Sequence, residues 1–182
     1  TQPISTYLFA FAAGKFETVS QTHHERTLTM FHRETDKEKL ERNTDVLFQL
    51  HYGALQWLKE YTGIPYPFGK LDFVLIPGFQ YSGMEHPGAI FYNDSRLMLD
   101  KNPSVNERLN QANLIAHEVS HQWFGNLVTM QWFNDVWLKE VFASFMADLI
   151  VNPQYTEVNH ELAFLLSNYP RSYTVDRTGG AN

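Results

Sequence analysis

Two histidines one helical turn apart, His117 and His121, constrain this chain more than any other feature. They lie in a stretch that opens with Ser104-Val105-Asn106-Glu107. That pattern is a capping box, in which a serine hydroxyl and a glutamate carboxylate satisfy the free amides of a helix's first turn. A helix is expected from about Val105 to Phe124, stopped by Gly125. On such a helix, positions four apart are only about 40° apart around the axis, so both imidazoles reach one point. Glu118, one residue on, turns away from the pair yet stays near enough to hold a water molecule between them.

The segment His117-Glu118-Val119-Ser120-His121 reads H-E-x-x-H, a spacing suited to a zinc ion. A catalytic zinc site takes three protein ligands and leaves a fourth position open. Glu140, with 18 residues between it and His121, is the candidate third ligand. That interval lets the chain turn at Gly125 and bring a second helix, about Asp135 to Val151, alongside the first. Ala143 and Ala147, on the same side of that helix as Glu140, would allow close approach.

Upstream, the pattern differs. Residues 6–33 alternate and are rich in Thr, Phe, Tyr and Val, which predicts strands at Tyr7–Phe11 and Thr27–Phe31 with a turn near Gly14-Lys15. A helical period runs from Asp36 to about Tyr61 and ends at Gly63. Leu71–Ile76, Ala89–Tyr92 and Leu97–Leu99 read as short strands, and Glu157–Leu166 as a further helix. A strand-rich part, about 1–103, followed by a helical part, about 104–182, predicts an α+β domain with a mixed sheet leading into metal-binding helices. Trp123, Phe124, Trp132 and Trp137 are expected to serve packing.

Composition excludes several classes. Fourteen Lys plus Arg against twenty Asp plus Glu give a net charge of −6, which disfavours nucleic-acid or anionic-membrane binding. Zero cysteines exclude a disulfide framework, a thiolate metal site and a catalytic thiol. The other histidines, such as His23, His24, His32, His51 and His160, lack a ligand-spaced partner. No apolar run approaches the ~18 residues that span a bilayer. The chain begins at Thr1 and reads as a piece of a longer protein, so its compartment, cytoplasmic or exported, stays open.

The stretches from His117 to Thr129 and from Trp132 to Glu140 resemble the zinc site of the aminopeptidase N-like family of gluzincin metallopeptidases, H-E-x-x-H-x18-E. A second motif of that family, G-x-M-E-N, is echoed by Gly83-Met84-Glu85-His86, with Glu85 32 residues before His117. The resemblance covers at least Tyr61 to Phe145 and implies a thermolysin-like catalytic domain that degrades peptides from their free N-terminus, with one zinc ion per chain. It implies His117, His121 and Glu140 as ligands and Glu118 as general base. It implies Glu85 as receptor of the substrate's α-amino group, Gly83 as a close backbone approach and Met84 as a pocket wall.

The chain departs from the family pattern in four respects. His86 stands where Asn is usual, and Lys139-Glu140-Val141 replaces the common Asn-Glu-Gly. The family's transition-state tyrosine would fall past Asn182, and its N-terminal β domain lies outside this chain, so other domains of the full-length protein are expected partners. Two alternatives stay open beside an aminopeptidase: a thermolysin-like zinc endopeptidase, and a zinc-binding but non-catalytic interaction module.

Overall fold

The computed structural model describes residues 3–177, as a unit running to Val151 and a second unit from Asn152. The first unit is α+β. Its strands are β1 (Glu17–His23), β2 (Arg26–His32), β3 (Asp72–Ile76), β4 (Gly83–Met84) and β5 (Ala89–Asn93). They form one mixed sheet in the order β1-β2-β3-β5-β4. β1 and β2 form an antiparallel hairpin around His24, whose φ of 53° gives the tight two-residue turn its left-handed corner. β3 runs parallel to both β2 and β5, while β4 closes the far edge antiparallel to β5.

Helix α1 (Lys37–Thr62) starts on Asp36, whose carboxylate accepts the Lys39 amide, and stops at Gly63 in the left-handed region, φ 69°. Its apolar stripe buries Leu47, Phe48, Ala54, Leu55 and Leu58. These join Leu28 and Met30 of β2, Phe73 and Leu75 of β3 and Ile90 and Tyr92 of β5 in the core. Each such Leu, Ile, Met or Phe side chain contributes about 1.5–3 kcal/mol when fully buried.

Helix α3 (Val105–Ser120) begins with the expected capping box, both halves formed. It ends four residues earlier than the sequence predicts. From there the amides of Asn126, Leu127 and Val128 bond back to the carbonyls of His121, Gln122 and Trp123, a wide turn that Gly125 permits with φ 141°. α3 packs against α1 and against α4 (Val136–Val151).

Two predicted strands take other forms. Tyr7–Leu8 lies in a 3-10 turn (Thr6–Leu8), and Phe9 and Phe11 are exposed. The alternation there reflects anchoring: the Leu8 carbonyl accepts from His86 Nδ1 at 2.9 Å and the Tyr7 hydroxyl reaches Glu85. Around Leu97 the chain forms a short helix, α2 (Asp94–Leu97), because Asn93 caps it through the Ser95 amide. Leu99 still gains a strand-like partner, since the Asn43 side-chain amide bonds both its N–H and its carbonyl. Trp123 is core, donating to the Ile64 carbonyl, whereas Trp132 and Trp137 are exposed in this chain.

The second unit carries α5 (His160–Arg177), longer than the sequence predicts and running through Pro170. Asn159 opens it by accepting the Leu162 amide, and Ser167 bonds back to the Ala163 carbonyl. No helix among the described residues is long and apolar enough to cross a membrane.

His51 is a buried ionisable group of this core. Its ring stacks on Phe73 at 4.1 Å, its Nδ1–H donates to the Leu47 carbonyl and its Nε2 accepts from the Tyr92 hydroxyl. Burial lowers its pKa to about 4. The unfolded chain, with His near 6.5, therefore binds a proton that the folded chain refuses between those pH values, and stability rises with pH across that window. From pH 7 down to pH 4 the cost is about 3 kcal/mol. Urea unfolding at the two pH values measures it: the protein loses about that much more than a His51→Gln variant, and equal losses contradict this role.

Candidate functional site

The last turn of α3 brings His117 and His121 together, their Nε2 atoms 3.0 Å apart. Glu140, in the second turn of α4, places Oε2 3.4 Å from His117 Nε2 and 3.5 Å from His121 Nε2. Behind the pair, the His121 Nδ1 lies 3.1 Å from the Phe124 carbonyl. A carbonyl only accepts, so Nδ1 carries the proton and Nε2 presents its lone pair toward Glu140. The His117 Nδ1 rests against the Ser144 hydroxyl at 3.3 Å. Such outer partners are what orient imidazole ligands.

Two imidazole nitrogens and a carboxylate facing one another at these distances require protons or a cation between them. Two ligands about 2.05 Å from a tetrahedral ion lie ~3.3 Å apart, which the observed 3.0, 3.4 and 3.5 Å edges approximate. The residues present therefore fit a zinc ion. Glu140 is half-exposed; burial alone would raise its pKa, but the imidazoles in their protonated form and the Lys139 ammonium hold it well below the usual carboxylate range.

Glu118 lies within α3 at 5% exposure, its Oε2 without a hydrogen-bond partner among the described residues. Burial pushes its carboxyl up, and the negative charges of Glu85 and Glu140 push the same way against Lys139. Gly83 of β4 is pressed against it. A Cβ built on Gly83 would fall inside the Glu118 carboxylate, 2.6 Å from its Cδ. Tyr92 pairs with Gly83 and Phe91 with Met84, so the edge of the sheet holds this backbone against the base.

Just beyond β4, Glu85 is 3% exposed. One ligand atom each from Glu85, Glu118 and His121 lie within 4.8 Å of one another. Glu85 Oε1 accepts from the Tyr7 hydroxyl at 3.1 Å and from the Lys139 ammonium, which also donates to Tyr7 at 2.6 Å. Burial works against the charge of Glu85, but His121 and Lys139 outweigh it and keep the carboxyl below its ordinary value. Lys139 stands 3.3 Å from the second oxygen of Glu140, so one ammonium spans both carboxylates.

All the sequence-predicted residues, Gly83, Met84, Glu85, His117, Glu118, His121 and Glu140, thus converge on one region, with Met84 half-buried beside Phe91. Sequence reasoning missed Tyr7, which looked like part of a strand. In the sequence Lys139 stands out only as a departure from the family pattern before Glu140, and that unusual place was the available signal for its role. His86, instead of orienting the loop with an amide, ties it to Leu8 and packs on Phe91 at 4.7 Å.

Comparison with known proteins identifies the family. Residues 46–182 match the Peptidase family M1 domain. The chain is 38% identical over 166 residues to endoplasmic reticulum aminopeptidase 2 of Homo sapiens, covering 91% of this chain and 17% of that protein. It is 32% identical over 176 residues to a leucyl aminopeptidase of Saccharolobus solfataricus, covering 97% of this chain and 22% of that protein. It is 37% identical over 164 residues to the puromycin-sensitive aminopeptidase of Caenorhabditis elegans, at 89% and 17% coverage. The chain spans about a fifth of the length of these relatives. With its histidine pair, its third carboxylate and most of its length inside the matched region, the chain belongs to peptidase family M1.

Proposed function

We propose that this chain is part of a thermolysin-like zinc aminopeptidase catalytic domain that removes residues from the free N-terminus of peptides. The strand-rich part (about 1–103) and the helical part (about 104–182) belong to that one domain, and the remaining domains of the full-length protein complete it. The observation that carries the reading is the meeting of three facing acceptors, His117, His121 and Glu140, with two buried carboxylates beside them. The first three would hold one zinc ion per chain. Zinc there would supply Lewis acidity and make a water molecule more acidic.

The protein's own groups do the rest. Glu118, whose burial raises its affinity for protons, takes one from the attacking water and delivers it to the leaving amine. Gly83 lets the substrate backbone approach and leaves room for the Glu118 carboxylate. Glu85 receives the α-ammonium of the first residue and disfavours an internal segment, which has no charge at that place. Met84 lines the pocket for the first side chain.

Three measurements test this. After reconstitution the protein holds equimolar zinc by atomic absorption and a His121→Ala variant does not; wild type without zinc overturns the proposal. Gly83→Ala drives a methyl into Glu118, so kcat falls about 100-fold with zinc content unchanged, and unaltered turnover rejects the placement. Glu85→Ala abolishes the preference for free amino termini, whereas an endopeptidase keeps its activity on internal bonds.

A further inference from the structure

The backbone carbonyl of Glu85 accepts two hydrogen bonds from buried side-chain amides. Gln122 Nε2 donates at 3.0 Å and Asn126 Nδ2 at 2.7 Å. The two donors come from the turn that follows His121, and neither residue exceeds 6% exposure. Because a carbonyl only accepts, each amide must turn its NH2 toward Glu85. That orientation leaves Gln122 Oε1 and Asn126 Oδ1 buried without a partner among the described residues. An unsatisfied buried oxygen is costly, and an apolar side chain of similar shape would avoid it. Packing alone therefore does not account for these two amides; holding that carbonyl does.

We propose that Gln122 and Asn126 are positioning residues that fix the distance between Glu85 and the His117–His121 pair, and so confine cleavage to the first peptide bond. The inference rests on reading Glu85 as the receptor of the amino terminus.

The clamp is built into the same turn as His121. The Asn126 amide bonds the His121 carbonyl at 2.9 Å and the Leu127 amide bonds the Gln122 carbonyl at 3.2 Å. On the other side of Glu85, Gly83 and Met84 are paired with β5, and the Asn93 amide bonds the Ser82 carbonyl at 3.0 Å. Glu85 is thus fixed from the sheet through the residues before it and from the turn after α3 through its own carbonyl. The tolerance is small. One residue of extended peptide is about 3.3–3.6 Å long, so a drift of that size would bring the second peptide bond into register. A drift of ~1 Å already costs about 100-fold in rate.

Gln122→Met and Asn126→Leu, singly and together, in the full-length protein test the clamp. The readouts are kcat/KM for an aminoacyl p-nitroanilide against its N-acetylated form, taken on zinc-equimolar protein, and the affinity for an uncleavable amino alcohol against its N-acetyl form by calorimetry. Each single variant, which keeps one donor, loses about tenfold in discrimination through the free-amine substrate alone, and the double variant approaches Glu85→Gln. If the double variant does not fold, the single variants decide. Discrimination equal to wild type in the clamp variants, or equal losses on both substrates, overturns the clamp. A Glu85→Gln variant that keeps full discrimination overturns the receptor reading and the inference with it.

Discussion

Glu140 reaches His117 and His121 because α4 packs directly on α3, with short side chains buried on both helices. Ala112, Ala116 and Ser120 of α3 and Ala143 and Ala147 of α4 are all nearly inaccessible. Small residues let two backbones approach closely, and larger ones in a filled interface cost roughly 1–3 kcal/mol and move the helices. The third acceptor needs that closeness more than stability does. Its carboxylate arrives from another helix, so an ångström of separation between the helices becomes an ångström of error at the site.

Glu85 is a second junction, and it joins parts of the chain remote in sequence. β5 fixes the backbone before it, the turn after α3 grips its carbonyl, and Tyr7 and Lys139 hold its carboxylate. His86 adds the carbonyl of Leu8 to the same cluster. A charged carboxylate at 3% exposure is tolerable only with such partners. The same contacts give the N-terminal segment its place, which explains why its alternating residues do not pair as a strand.

Much of this was legible in the sequence, for reasons that differ by residue. The caps at Asp36 and Ser104 are local, so α1 and the start of α3 follow from a few neighbouring residues. The histidine pair and Glu140 follow from helical geometry plus one interval. The segments at Tyr7–Phe11 and Leu97–Leu99 were misread because their hydrogen bonds come from His86 and Asn43, 78 and 56 residues away. The β4 edge strand is only two residues long and carries no periodicity. Lys139 was visible as a departure from a pattern, but its partner Glu85 lies 54 residues upstream, beyond any local rule.

The resident ammonium of Lys139 has a consequence for how the proposed pocket would choose its guests. Glu85 already has a cation against it, so part of its charge is offset before a peptide arrives. A second ammonium is then drawn by little net field at a distance, and must be selected at short range by the directions of its three N–H bonds. Such a site would resemble an exchanger more than a magnet: it would favour a primary amine that can share a carboxylate, and would give little reward to positive charge that cannot donate hydrogen bonds there.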